Sequence, residues 1–198
     1  VHHDFWHERW RTGQTGFHQK TVHPLLERWW PGLGVRPGAR VYVPLCGKSL
    51  DMTWLVGRGH TVLGSELARI GIDEFFAGQS LQPAAETRDG FTHHAAGPYE
   101  ILEGDALALP PEMRGPCVES LARLLPRGAR GLVVSFEYPQ EMKGGPPFSV
   151  ESLEILGHCD GRFTVRELER VDILVDNPKF AEFGIPALHE VAYALERT

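Results

Sequence analysis

Residues 41–52 read VYVPLCGKSLDM, Val41 to Met52. Gly47-Lys48-Ser49 has the ending of a phosphate-binding loop. A Walker loop needs a glycine five positions before the Gly-Lys-Ser glycine, so that backbone N–H groups curl around the phosphates. Position 42 is tyrosine, inside the apolar, β-branched run Ala39–Val43 that reads as the first core strand. Pro44 also removes an N–H that such a cradle would use. Triphosphate binding is therefore not expected. What remains is a strand that ends in Pro-Leu-Cys-Gly and leads into a helix.

About twenty residues on, at the end of the next short strand, stands Glu66. A Rossmann-like domain places its ribose-hydroxyl acceptor there, because a carboxylate accepts hydrogen bonds from two vicinal hydroxyls. Gly47 lets the backbone come close to such a ligand. One glycine and one glutamate also fit a tight turn with a solvated charge. Lys48 and Asp51 read as the exposed first turn of the helix. Cys46 has no histidine near it in sequence and reads as inert.

The surrounding pattern is β-α-β-α. Helices are expected at 4–11 and 22–30, where Phe5, Trp6 and Trp10, then Leu25, Leu26, Trp29 and Trp30, recur at helical spacing. Further helices are expected at 50–56, 67–77, 112–125 and 150–156. Short buried strands are expected at 61–64, 99–102 and 131–136, and two alternating strands at 163–170 and 189–195. His93-His94 reads as loop or edge strand. This order implies a parallel sheet covered on both faces, with ligands beyond the carboxyl ends of the strands. The Pro/Gly-rich run at 139–149 suits a loop over a site.

Composition narrows the partners. With 198 residues and 42% hydrophobic content the chain fits one domain with a real core, residues 1–198. The net charge of −6 and the scattering of the 20 Lys and Arg leave no electrostatic footprint for nucleic acid. No apolar run approaches the roughly 18 residues that span a bilayer, and VHHDFWHERW has no signal-peptide core, so a soluble, cytoplasmic protein is expected. Cys46, Cys117 and Cys159 lie far apart, which fits reduced thiols and suggests no zinc site. His3 and His7 sit one helical turn apart without a third ligand in view, so no metal is expected.

Taken together, FWHERWRTGQTGFHQ from Phe5, VPLCGKSLDM at 43–52, GHTVLGSELARIGIDEFF at 59–76, LPPEMR at 109–114 and GPPFSV at 145–150 resemble the thiopurine S-methyltransferase family of the bacterial type. The resemblance runs over nearly the whole chain. It implies an α/β, Rossmann-like class I methyltransferase fold with a mostly parallel central sheet, an antiparallel last strand and helices on both faces. It implies S-adenosylmethionine as cosubstrate, no metal, and residues 1–36 as a helical cofactor cover. By the family's pattern Trp10 and Phe17 close over the cofactor, Leu45 contacts it and Glu66 takes the ribose hydroxyls. For Trp10 and Phe17 the plain alternative is core packing.

The reaction implied is in-line transfer of the sulfonium methyl to the sulfur of a thiopurine-like aromatic thiol. Such a thiol ionises near neutral pH, so the resemblance implies no catalytic residue in the sense of a general base. Proximity, orientation and desolvation do the work. The acceptor would stack on Phe17 and on Phe148, whose loop Pro146 and Pro147 stiffen; a packed loop anchor is the alternative for Phe148. Glu137, at the end of the strand 131–136, faces either substrate or solvent. A small-molecule substrate and a monomer are expected.

One departure stands out. Between Glu103-Gly104-Asp105 and Leu109-Pro110-Pro111 the family carries about 20 more residues, with the fourth parallel strand and an Asp-Arg pair. Here only Ala106-Leu107-Ala108 joins them. Either residues of the protein are missing from the numbered chain or the deletion is real. Arg114 belongs to the later motif and does not replace the lost arginine. A real deletion favours a non-catalytic, methyltransferase-like binding module. A second enzyme alternative is methylation of inorganic selenium or tellurium species.

Overall fold

A computed structural model describes residues 3–88, 90–104, 114–145 and 147–198, with side chains for all of these except 114–117 and 120. In chain order the first elements are α1 (His3–Arg11), α2 (Pro24–Trp29), β1 (Arg40–Val43), α3 (Leu50–Gly57), β2 (Thr61–Glu66) and α4 (Arg69–Gly78). A hairpin, β3 (Ala84–Arg88) and β4 (Phe91–Ala96), then leads into β5 (Tyr99–Glu103). After α5 (Arg114–Leu124) come β6 (Arg130–Glu137), α6 (Ser152–Cys159), β7 (Phe163–Asp172), α7 (Pro178–Ala181) and β8 (His189–Arg197). Two compact units result: Val1–Pro24 with Arg36–Pro111, and Leu25–Val35 with Glu112–Thr198.

The first unit is built on a five-stranded sheet in the order β1-β2-β5-β4-β3. β1, β2 and β5 run parallel, with Val41 opposite Val62 and Glu66 opposite Glu103. Their carboxyl ends therefore coincide, and the turns after β1 and β2 leave from that one end of the sheet. Met52 and Leu55 of α3, and Ile72, Phe75 and Phe76 of α4, are buried with Val62, Tyr99 and Ile101. Phe75 meets Tyr99 edge-on at 5.1 Å, a favoured aromatic geometry. Ser49 starts α3 by accepting a hydrogen bond from the Asp51 N–H, 3.1 Å, which satisfies an otherwise orphaned donor.

Three expectations change here. β4 is an inner strand between β5 and β3, so His94 is fully buried instead of lying on a loop or edge. Its Nε2 meets the Glu103 carboxylate at 2.7 Å. Asp51 and Lys48 are not idle surface charges. Asp51 accepts the His23 N–H at 2.8 Å, and Lys48 pairs with Glu74 at 2.6 Å.

The second unit holds a three-stranded sheet, β6-β8-β7. β6 and β7 both run antiparallel to the last strand, β8, as expected, and Glu137 and Asp172 both face His189. The carboxyl ends of β6 and β7 thus lie at the same end of this sheet. Phe163, Val191 and Tyr193 pack with Ala122, Ile155 and Cys159, while Tyr138, Ile185 and Leu188 form a second cluster. Pro24 opens α2, where its missing N–H costs nothing. A 3-10 turn at Trp30–Leu33 ends it, and the Arg130 guanidinium donates to the Leu33 carbonyl at 3.0 Å. Glu137 is half-buried, accepting from the Ser152 N–H and pairing with Arg170.

Residues 105–113, and with them the Ala-Leu-Ala joint and most of LPPEMR, lie outside the described residues. Among the described residues no helix is long and apolar enough to cross a membrane.

Candidate cofactor site

The site forms where β1 and β2 end. Pro44 stops the strand, and the chain then turns through Leu45 at φ +50° and Gly47 at φ +48°, both in the left-handed region. That conformation is strained for leucine and natural for glycine. It brings the Gly47 N–H to 2.9 Å from one Glu66 oxygen, while the Ala68 N–H lies 2.7 Å from the other. Glu66 is only 7% exposed. Burial pushes its pKa up, against the pull of the N–H groups of Ala68, Gly47 and Leu67 and of His7. A buried carboxylate with one donor on each oxygen still has lone pairs to offer a ligand.

Trp10 roofs this cradle. A Cβ on Gly47 would stand 3.1 Å from Trp10 Cζ2, and one on Gly71 of α4 would stand 2.9 Å from the same atom. The indole therefore rests on two glycines, and Trp10 is 5% exposed. Phe17 touches it edge-on at 5.6 Å and Trp6 at 5.6 Å, yet stays 47% exposed. Lys48 Nζ lies 5.7 Å from the Trp10 ring centroid. Leu45, at 65% exposure, points its strained backbone and apolar side chain outward from the same loop.

The four residues singled out in the sequence, Trp10, Phe17, Leu45 and Glu66, all belong to the first unit and surround one turn. Cys46 does not act here. It is buried over Gly64, where a Cβ would meet its Sγ at 2.7 Å, and burial raises its thiol pKa well above the usual value. Phe148 belongs to the second unit, where it is exposed and packs over Gly145. Two residues were missed. Gly71 supports the Trp10 ring, and its only sequence signal was a glycine inside an otherwise apolar helix. Glu74 holds Lys48, and nothing in the sequence marked it.

The profile of the family described as Thiopurine S-methyltransferase (TPMT) matches residues 1–108 and 106–198. The chain belongs to the thiopurine S-methyltransferase family. It is 41% identical to a thiopurine S-methyltransferase of Nitrosomonas eutropha over 217 positions, covering 100% of this chain and 99% of that one. A relative of the same description from Azotobacter vinelandii is 42% identical over 217 positions, covering 100% of both. Among solved structures the fold is similar to a SAM-dependent methyltransferase from Geobacter sulfurreducens, in complex with S-adenosyl-L-homocysteine, with TM-score 0.63 at 14% identity over 100% of this chain and 99% of that one. A SAM-dependent methyltransferase from Thiobacillus denitrificans gives 0.61 at 14% over 96% and 98%. These likenesses establish the class I methyltransferase fold.

The two stretches matched by the family profile meet at 106–108, the Ala-Leu-Ala joint. The alignment with the Nitrosomonas relative spans 217 positions against 198 residues here, leaving 19 without a counterpart.

Proposed function

We propose that this thiopurine S-methyltransferase family member transfers a methyl group from S-adenosylmethionine to the sulfur of a thiopurine-like aromatic thiol. The observation that carries the reading is Glu66: a buried carboxylate at the end of β2, held by the Gly47 and Ala68 N–H groups with acceptor capacity to spare. That is the chemistry that two vicinal ribose hydroxyls require. Trp10 and Phe17 form the apolar cover beside it, and the Leu45 loop brings backbone and an exposed aliphatic chain to the same place. The donor set fits a nucleoside and offers nothing that a triphosphate needs.

Bound S-adenosylmethionine supplies a methyl group on a positively charged sulfur. The acceptor's thiolate sulfur bonds to that methyl carbon as the old carbon–sulfur bond breaks, and the electron pair stays with the departing thioether sulfur. Two charges vanish, so a dry, apolar surrounding speeds the step without a general base. We take the acting species to be a cytoplasmic monomer in which the whole chain serves one reaction, with a small molecule as its partner. The buried free thiols of Cys46 and Cys159 support a reducing compartment.

Titration of the chain with S-adenosylhomocysteine tests this. Binding that weakens about tenfold or more in Glu66→Gln supports it, because hydrogen bonds to a charged group contribute about 1.5–3 kcal/mol. Intact wild-type protein that binds no S-adenosylhomocysteine contradicts it.

A further inference from the structure

Within α1 only Trp10 is buried. Charged side chains around it close on their own segment: Arg11 pairs with Glu8 at 2.7 Å, and Arg9 donates to Gln14 at 2.8 Å. The indole is thus the apolar anchor of this helix. One ring is a small anchor, because a short helix is held mainly by the face it packs.

An ion pair stands beside that ring. Gly47 and Gly71 form the floor under the indole. Lys48 follows Gly47 directly in the loop, and Glu74 lies three residues after Gly71 in α4, where helical spacing returns a side chain to the same face. Lys48 Nζ lies 2.6 Å from a Glu74 carboxylate oxygen and 5.7 Å from the centroid of the Trp10 ring, within the range where a ring face attracts an ammonium. The pair therefore joins the turn after β1 to α4 next to Trp10, with its cation over the indole. Its field also reaches the end of the cover. Phe17 meets Trp10 edge-on, and at the next residue, His18, burial and then the Lys48 ammonium push the pKa below its usual value while Glu74 pulls it up.

We propose that Lys48 and Glu74 are positioning residues that clasp Trp10, so that the pair holds the α1 segment closed over the Glu66 cradle and sets how tightly the cosubstrate is kept. The proposal rests on the cofactor reading of this cradle and adds what keeps its roof in place. Neither residue has to touch the ligand, because the pair acts through the indole: a site whose roof is lifted part of the time binds with an affinity reduced by the closed fraction. Lys48 is 28% exposed and Glu74 46%, so water and salt screen the pair and its share in global stability is small. A segment docked by one ring responds to a weak contact that the whole fold barely registers. That contrast separates a clasp from an ordinary surface ion pair.

The test combines limited trypsin digestion of the full chain with calorimetric titration by S-adenosylhomocysteine. Glu74→Gln should speed cleavage after Arg11, which is exposed, severalfold over wild type while the midpoint of urea unfolding stays unchanged. The same variant should bind S-adenosylhomocysteine about twofold to fivefold more weakly, the size of effect that loss of a partly exposed ion pair produces. Lys48→Gln should lose at least as much, since it also removes the cation over the ring, and the double glutamine variant should resemble Lys48→Gln instead of adding the two losses. Lys48→Arg should keep both the affinity and the protection from trypsin. Glutamine variants cleaved after Arg11 at the wild-type rate overturn the clasp, and the digestion decides this without any cosubstrate. Wild type that binds S-adenosylhomocysteine while both glutamine variants keep its affinity also overturns the clasp and leaves the cofactor reading standing. Wild type that binds none overturns the cofactor reading and, with it, the pair's role in keeping the cosubstrate.

Discussion

The Gly47 N–H donates to the Glu66 carboxylate across 2.9 Å, joining the turn after β1 to the end of β2. The pairing depends on backbone geometry that a glycine in the left-handed region at 47 supplies at low cost. Glu66→Gln keeps the shape but turns an amide NH2 toward one of the two N–H donors. The variant should unfold about 1–3 kcal/mol more easily, measured by urea denaturation, in addition to its weaker cofactor binding.

The pH response of Glu66 has a definite sign. Burial raises its folded-state pKa above the unfolded value, so the fold disfavours the ionised form. Its contribution to stability is fully present below the ordinary carboxylate pKa and is lost as pH rises through the raised folded value. Ribose hydroxyls donate to the ionised form, so S-adenosylhomocysteine affinity should climb through that same window as stability declines. Titrations at a series of pH values, with Glu66→Gln as the flat reference, check both slopes. An affinity independent of pH over the window contradicts the assignment of Glu66.

Gly71 offers a packing test. Alanine is normally better than glycine in a helix by about 1 kcal/mol. Here the new Cβ meets three atoms of the Trp10 ring within 3.2 Å, and overpacking of this kind costs about 1–3 kcal/mol. Gly71→Ala should therefore lower the thermal midpoint and weaken S-adenosylhomocysteine binding, and Trp10→Leu in the same chain should reduce the penalty. A double-mutant cycle with no coupling would mean that Trp10 does not rest on α4.

Leu45 holds a backbone conformation that strains a leucine by about 1–2 kcal/mol. Leu45→Gly should leave stability within about 1 kcal/mol of wild type, since relief of strain offsets the added freedom of the unfolded chain. Cofactor affinity should nevertheless fall severalfold with the loss of the side chain. A glycine variant that binds as wild type removes Leu45 from the site.

The parts of this site legible in the sequence were those with local signatures. Tyr42 and Pro44 ruled out a triphosphate loop, the spacing from Gly47 to Glu66 marked the strand ends, and Trp10 recurred on an apolar helix face. The hairpin of β3 and β4 was missed, although Asp89-Gly90 between two alternating runs is a turn signal and Arg88 does pair with Phe91. His94 and Glu103 meet only through the register of that hairpin and β5, which no local pattern encodes. The support of Trp10 by Gly71 and the pairing of Lys48 with Glu74 likewise depend on the packing of α4, known only once the sheet is assembled.

The most direct measurement is mass spectrometry of 6-mercaptopurine incubated with the purified chain and S-adenosylmethionine carrying a trideuterated methyl group. Expected is S-methylated purine that holds all three deuterons, formed faster as the thiol ionises and more slowly in Glu66→Gln at limiting cosubstrate. Binding of S-adenosylhomocysteine without any labelled product, from aromatic thiols generally, would contradict S-methyl transfer as the function of this chain.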